Sequence, residues 1–193
     1  MAPLRISFLV RSVYDLLPSK ANLVRWGKKE DPTCPLCQGR QTTEHVLSSC
    51  KVALSEGRYT CRHNRVLQEL ASVISTAKGK IHPSSTSSTV FTTNYMVVLT
   101  VPYESRMEEA HAFKGGKYLD LTKELIKDGY EAKVMPVEIG ARGLVGSSAY
   151  GLLSKLSIGG NKRTKAPRLL AETAQNSSRW IWSRRNERLL HKD

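Results

Sequence analysis

The sequence predicts a mixed protein of the α+β or α/β class, built in two parts. Three observations predict it. The first third reads as helix gathered around a cysteine-rich loop. Residues Tyr95 to Val101 form an unbroken apolar run with three valines, ended by Pro102, as a buried strand would be. Ala132 to Ile139 is a second strand-like run, and the helix-length stretch between the two implies a parallel pair.

Each element has its own local warrant. Leu9, Val13, Leu16 and Leu17 recur at helical spacing until Pro18 breaks the pattern, and a short segment from Ala21 to Trp26 leads into the cysteine loop. Val52 to Ala77 reads as one helix with Val66, Leu67, Leu70, Val73 and Ile74 as its buried stripe. Gly79, Pro83 and a Ser/Thr-rich stretch mark 78–93 as a linker without fixed structure, dividing 1–77 from 94–193. Glu104 to Asp128 reads as one long helix with Ala110, Leu121 and Leu125 inward. Pro136 pushes the second strand toward an edge or a bulge. Helical stretches follow around 148–156 and from Pro167 onward.

The most specific signal is Cys34-x2-Cys37-x7-His45-x4-Cys50. Three of the four cysteines and one histidine share a 17-residue window. The two-residue gap in Cys-Pro-Leu-Cys lets both sulfurs turn inward on one tight loop, and three thiolates with one imidazole close a tetrahedral zinc shell. With all four ligands supplied by protein, no position is left for water or substrate, so the expected role of Zn2+ is structural. Cys61 is the alternative ligand, or a free thiol beside a helix.

Composition narrows the class. At 193 residues and 40% hydrophobic content, with a mean hydropathy of −0.35, the chain has the make-up of one ordinary domain or two small ones. No apolar run approaches the roughly 20 residues of a membrane span, and Arg5 and Arg11 bracket Ile6–Val10 too closely for a secretory signal. The expected location is intracellular, nuclear or cytoplasmic, where thiols ligate metal rather than form disulfides. Net charge is +13, and the excess lies at the ends: residues 1–30 carry 6 basic against 2 acidic and residues 155–193 carry 10 against 3. A polyanion, most simply DNA or RNA, is the partner such a distribution suits.

Several motifs together carry a family resemblance. Leu16-Leu17-Pro18-Ser19-x-x-Asn22-Leu23-x-Arg25-Trp26, the Cys-Pro-Leu-Cys loop and Thr43-Glu44-His45-Val46-Leu47-x-x-Cys50 resemble the zinc-binding segment downstream of non-LTR retrotransposon reverse transcriptases. Leu99-Thr100-Val101-Pro102-Tyr103-Glu104-x-Arg106-Met107-Glu108-Glu109-Ala110, Lys117-Tyr118 and Pro136-Val137-Glu138-Ile139-Gly140-x-Arg142-Gly143 are similar to the restriction-like endonuclease that ends such polyproteins. Arg62-His63-Asn64 matches the basic-His-Asn/Asp element between the two. The resemblance covers most of the chain, contains no polymerase palm, and implies a knuckle followed by a truncated restriction-endonuclease-like strand-helix-strand unit with C-terminal helices.

It also implies what is missing. Restriction-like nucleases hold a divalent metal with an Asp on one strand and an Asp or Glu on the next, beside a lysine that stabilises charge on the phosphate. The family has an acidic residue where this chain has Val98, and an upstream Pro-Asp where this chain has none. No Asp or Glu occurs between Glu69 and Glu104. That pattern reads as an internal deletion. Glu104, Glu108, Glu109 and Glu138 are the carboxylates that a rebuilt site could recruit, and Lys114 and Lys117 are the lysines. The lysines are equally readable as snorkelling at a helix margin.

The expected nucleic-acid contacts are Arg62, His63 and Arg65 after the knuckle, Lys162, Arg163 and Lys165 in the basic end, and Arg179, Trp180, Trp182, Arg184 and Arg185. Interleaved indoles and guanidinium groups stack bases and neutralise phosphates, or pack two Trp on the core with the basic residues outside; both readings are open here. The function expected is a zinc-dependent nucleic-acid-binding fragment without catalysis. The alternatives are a metal-dependent endonuclease with a rebuilt site, and a decayed reading frame. A truncated sheet would leave an open edge prone to self-association.

Overall fold

A computed structural model describes residues 3–78, 89–91, 95–128 and 133–189. The order is α1 (Pro3–Val13), α2 (Lys20–Arg25), a π-helical turn (His45–Ser49), α3 (Lys51–Ser55), α4 (Arg58–Lys78), β1 (Thr89–Phe91), β2 (Tyr95–Thr100), a 3-10 turn (Glu104–Arg106), α5 (Met107–Lys117), α6 (Leu119–Lys127), β3 (Lys133–Glu138), α7 (Ser147–Lys155) and α8 (Gly160–Ser183). This is an α+β arrangement of helices and one small sheet.

Backbone conformation at single residues sets where several helices stop. α1 ends because Asp15 adopts φ 52, and the Leu16 N–H then closes on the Arg11 carbonyl at 2.6 Å. That six-residue closure is the usual left-handed helix end, and it leaves Leu16 exposed and Leu17 buried outside the helix. The single helix expected over Val52–Ala77 is two, α3 and α4, parted by Gly57 at φ 68. The long helix expected over Glu104–Asp128 is likewise broken at Tyr118 into α5 and α6. Its two halves are out of phase: α5 buries no side chain, Leu121 is exposed, and Thr122 is the buried residue of α6. α8 starts seven residues before Pro167 and contains it. Ala166 and Leu170 bury on either side of the proline, and that packing outweighs the one helical hydrogen bond it removes.

The sheet has the order β1-β2-β3. β2 and β3 are parallel, with Val98 opposite Pro136 and Thr100 opposite Glu138, as the strand-helix-strand spacing predicts. Pro136 lies on β3, an edge strand, where its missing N–H costs no ladder bond. β1 pairs antiparallel with β2, so Thr89–Phe91 is strand within the stretch expected to be an unstructured linker. The rest of that stretch, 79–88 and 92–93, lies outside the described residues.

By contacts the chain falls into two compact units, Met1–Arg62 with Gln175–Asp193, and His63–Ala174. The boundary runs inside α4 and α8, whereas the sequence division at 78–93 follows composition. In the second unit the α4 stripe Val66, Leu67, Leu70 and Ile74 meets Val97, Leu99 and Val137 of the sheet, Ile139 just after β3, and Leu152, Leu153 and Leu170 of α7 and α8. Val73, the remaining residue of the expected stripe, packs half-buried against this core. No described helix is long and apolar enough to cross a membrane.

Candidate metal centre

The cysteine loop is shaped by its own backbone. Thr33 and Arg40 form an antiparallel bridge, the Cys34 N–H donates to the Gly39 carbonyl at 2.7 Å, and the Gln38 N–H returns to the Cys34 carbonyl at 3.0 Å. Gln38 takes φ 63 to close the turn. Gly39 sits so near the His45 ring that a Cβ there would lie 3.1 Å from its Cε1. Downstream, the Thr42 hydroxyl accepts the His45 N–H at 3.0 Å and fixes the start of the π-helical turn that presents His45 and delivers Cys50.

The result is a cluster of Cys34, Cys37, His45 and Cys50 whose ligand atoms all lie within 4.8 Å of one another. Cys37 Sγ is 3.2 Å from His45 Nε2. A zinc–sulfur bond of about 2.3 Å gives a tetrahedral edge of roughly 3.8 Å, so the four donors are already close to a closed shell. Cys34 and Cys50 are buried, and Leu36 and Ala53 pack beside them. Cys61 is exposed on α4 and lies outside the cluster.

The electrostatics of the site are uneven. Burial, reinforced by the Cys34 and Cys37 sulfurs, pushes the Cys50 thiol up to about 11. Burial opposes ionisation of Cys37 as well, but the Gly39 N–H and the neighbouring thiols outweigh it and bring Cys37 below the ordinary thiol value. Burial lowers the His45 pKa and so favours the neutral ring that ligates metal.

Two residues behind the cluster test whether a metal belongs there. Cys34, His45, Cys50 and Arg185 line one small cavity of about 10 Å3. Arg185 donates Nη1–H to the Trp182 carbonyl at 2.9 Å and stacks on the Trp182 ring at 4.3 Å, yet its buried Nε–H finds no partner. Three thiolates around one dication carry a net single negative charge, which suits the half-buried Arg185 guanidinium on the cavity wall. The donor set and this orphaned donor both fit zinc. Tyr59 supplies the second support: its hydroxyl accepts the Cys50 N–H at 3.0 Å and reaches the Val46 carbonyl at 3.0 Å. Outer-shell bonds of this kind hold ligands in place. Nothing in the spacing of the sequence marks Tyr59.

The expected nucleic-acid residues part into two sets. Arg65, Lys162, Arg163, Lys165, Arg179, Trp180 and Arg184 are exposed. Arg62 is 2% exposed and donates Nη1–H to the Leu47 carbonyl at 2.8 Å and to the Ser178 hydroxyl at 3.0 Å. Trp182 is buried, Arg185 is half-buried on it, and His63 places Nε2 3.2 Å from the Leu99 carbonyl. These four side chains face internal partners.

The nuclease candidates of the second unit do not converge on a metal shell. The Glu104 carboxylate takes the Arg142 Nε–H at 2.6 Å and the Arg142 backbone N–H at 2.5 Å. Arg142 also lies over Tyr103 at 4.6 Å, so Glu104 is tied into a structural corner. Glu138 is buried at the end of β3, 2.9 Å from His111 Nδ1 and accepting the Ser148 hydroxyl at 2.6 Å. Lys114 is half-buried, and burial followed by the charge of Lys117 lowers its pKa. Lys117 itself is exposed beside Tyr118. Among the described residues the cysteine–histidine cluster is the one grouping of three or more metal-type ligands.

No protein-family model matches the chain, and no curated protein is significantly similar to it.

Proposed function

We propose that this chain is a zinc-stabilised nucleic-acid-binding fragment without catalytic activity, derived from the C-terminal region of a non-LTR retrotransposon polyprotein. The observation that carries the reading is the Cys34, Cys37, His45 and Cys50 cluster, four protein donors within 4.8 Å. Four protein ligands leave no coordination position for chemistry, so the metal holds the loop and the loop positions the helices after it. The net charge of +13 and the exposed Arg65, Arg163, Lys165, Arg179 and Arg184 support a polyanionic partner. The motif resemblance supports the origin. Val98 at the expected acidic position and Glu104 held by Arg142 support the lack of catalysis.

One titration tests this reading: DNA binding by the purified chain, before and after zinc chelation, at two salt concentrations. Affinity that falls steeply with salt and falls again on chelation supports it. No binding in either state refutes it, and would revive the decayed reading frame.

One observation favours a second reading. A cleft of about 850 Å3 brings Glu138, His111 and Glu108 together at the end of β3. Cleavage of DNA that requires Mg2+ or Mn2+ and disappears in Glu138→Gln would make the chain a nuclease with a rebuilt site.

A further inference from the structure

The two neighbouring indoles of α8 have opposite fates. Trp182 is 8% exposed, but Trp180 keeps 38% of its surface open. Asn176, Arg179, Trp180 and Ser183 stand at helical spacing of three, four and seven residues, so they share one face of α8. That face forms one wall of a groove of about 560 Å3, and Ser7 and Arg11 of α1, one turn apart, stand on the other. Phe8 and Leu17, both buried, make its floor. No acidic residue lines the groove, and neither Arg11 nor Arg179 has an ion-pair partner among the described residues.

We propose that this groove binds single-stranded nucleic acid, with Trp180 as the base-stacking platform and Arg11 and Arg179 as phosphate contacts; the proposal rests on the nucleic-acid reading above. An exposed indole sharing a groove with two guanidinium groups that have no ion-pair partner among the described residues is the combination that holds an unstacked base and neighbouring phosphates. A duplex keeps its base faces inside the stack and offers Trp180 nothing to lie on. Asn176 and Ser183 at the rim supply hydrogen bonds to base edges or phosphate. The basic groove of the other unit differs in kind. Lys162, Lys165 and Arg168 line it without any aromatic residue, and Glu172 sits among them in a salt bridge to Arg168. It offers no ring on which a base could stack.

The test uses the full zinc-loaded chain and fluorescence anisotropy with two labelled probes, an eight-residue oligodeoxythymidylate and a short DNA duplex. Trp180→Ala is expected to weaken the single strand by roughly 5- to 150-fold and to leave duplex affinity unchanged. Trp180→Phe retains most of the binding, because a phenyl ring still stacks. Arg11→Gln with Arg179→Gln lowers the steepness of the salt dependence by about 1.4, the value for two single-strand phosphates. Both arginines are exposed, so this variant reports even where Trp180→Ala fails to fold. A wild-type chain that binds the oligonucleotide while neither variant changes it overturns the groove and leaves the nucleic-acid reading standing. A wild-type chain that binds neither probe overturns both.

Discussion

Replacing Tyr59 by Phe removes one oxygen and tests whether the metal centre depends on the residues behind it. In the wild type that oxygen accepts the Cys50 N–H at 3.0 Å and reaches the Val46 carbonyl at 3.0 Å, with the His45 carbonyl at 3.3 Å. The phenyl ring keeps the packing against Cys34, Cys50 and Ala53, so the change isolates the hydrogen bonds. Cys50 is buried, and its N–H then has no acceptor, at a cost of about 1–3 kcal/mol. The same bond sets the backbone that aims the Cys50 sulfur, so the loss appears in metal affinity as a drop of roughly 10- to 100-fold. Zinc competition with a chromogenic chelator reads the affinity, and urea denaturation of the zinc-loaded chain reads the stability. Equal chelator curves for Tyr59→Phe and wild type would refute the reasoning, since the ligand would then need no support from this hydroxyl.

Three further perturbations follow from the same geometry. Arg185→Gln removes the half-buried charge on the cavity wall and should weaken zinc by roughly 10- to 100-fold without altering a stoichiometry of one, read by the same competition. Lowering the pH should weaken zinc by roughly tenfold per unit for each proton the metal displaces; the Cys50 thiol, at about 11 without metal, holds its proton at neutral pH, so affinity equal at pH 6.5 and 7.5 would contradict the assignment. Glu104→Ala removes the carboxylate that accepts the Arg142 Nε–H and backbone N–H, at a pair whose side chains are 17% (Arg142) and 10% (Glu104) exposed, and should cost about 3 kcal/mol in thermal or urea unfolding.

How much of this was legible in the sequence depended on how local each feature is. Cys34, Cys37, His45 and Cys50 share one short stretch, so spacing was enough to single out the four side chains that the fold brings within 4.8 Å of one another. The α4 stripe and the parallel strands were legible because their periodicity repeats over many residues. The helix ends were not. Asp15 at φ 52 and Gly57 at φ 68 break helices that apolar spacing alone would carry through. Burial of the basic residues was not legible either. Arg62 reads as a surface cation until the Leu47 carbonyl and the Ser178 hydroxyl, 15 and 116 positions away, are brought to it. Trp180 and Trp182 look interchangeable in sequence. Trp182 is buried and Trp180 exposed, and which of the two meets the core is decided by residues far along the chain.

Those distant contacts also tie the metal centre to the basic end of the chain. Arg58 is fully buried, paired with Glu56 at 2.5 Å, and donates to the carbonyls of Arg184 at 2.6 Å and of Glu187. The Leu189 N–H reaches Glu56 at 3.2 Å, and Gln41 Nε2 donates to Asn186 at 3.0 Å. The segment that follows α8 is therefore anchored on the loop and helix that flank the zinc ligands. Chelation that loosens the loop is expected to weaken these anchors, and with them the last turns of α8 that carry Arg179 and Trp180. Coupling of this kind is reciprocal: if zinc raises affinity for a single strand, the single strand must raise affinity for zinc by the same factor. Zinc competition by a chelator, run with and without saturating oligodeoxythymidylate, measures it directly. Tighter retention of zinc in the presence of the oligonucleotide is expected, and identical curves would mean that the knuckle and the groove fold independently.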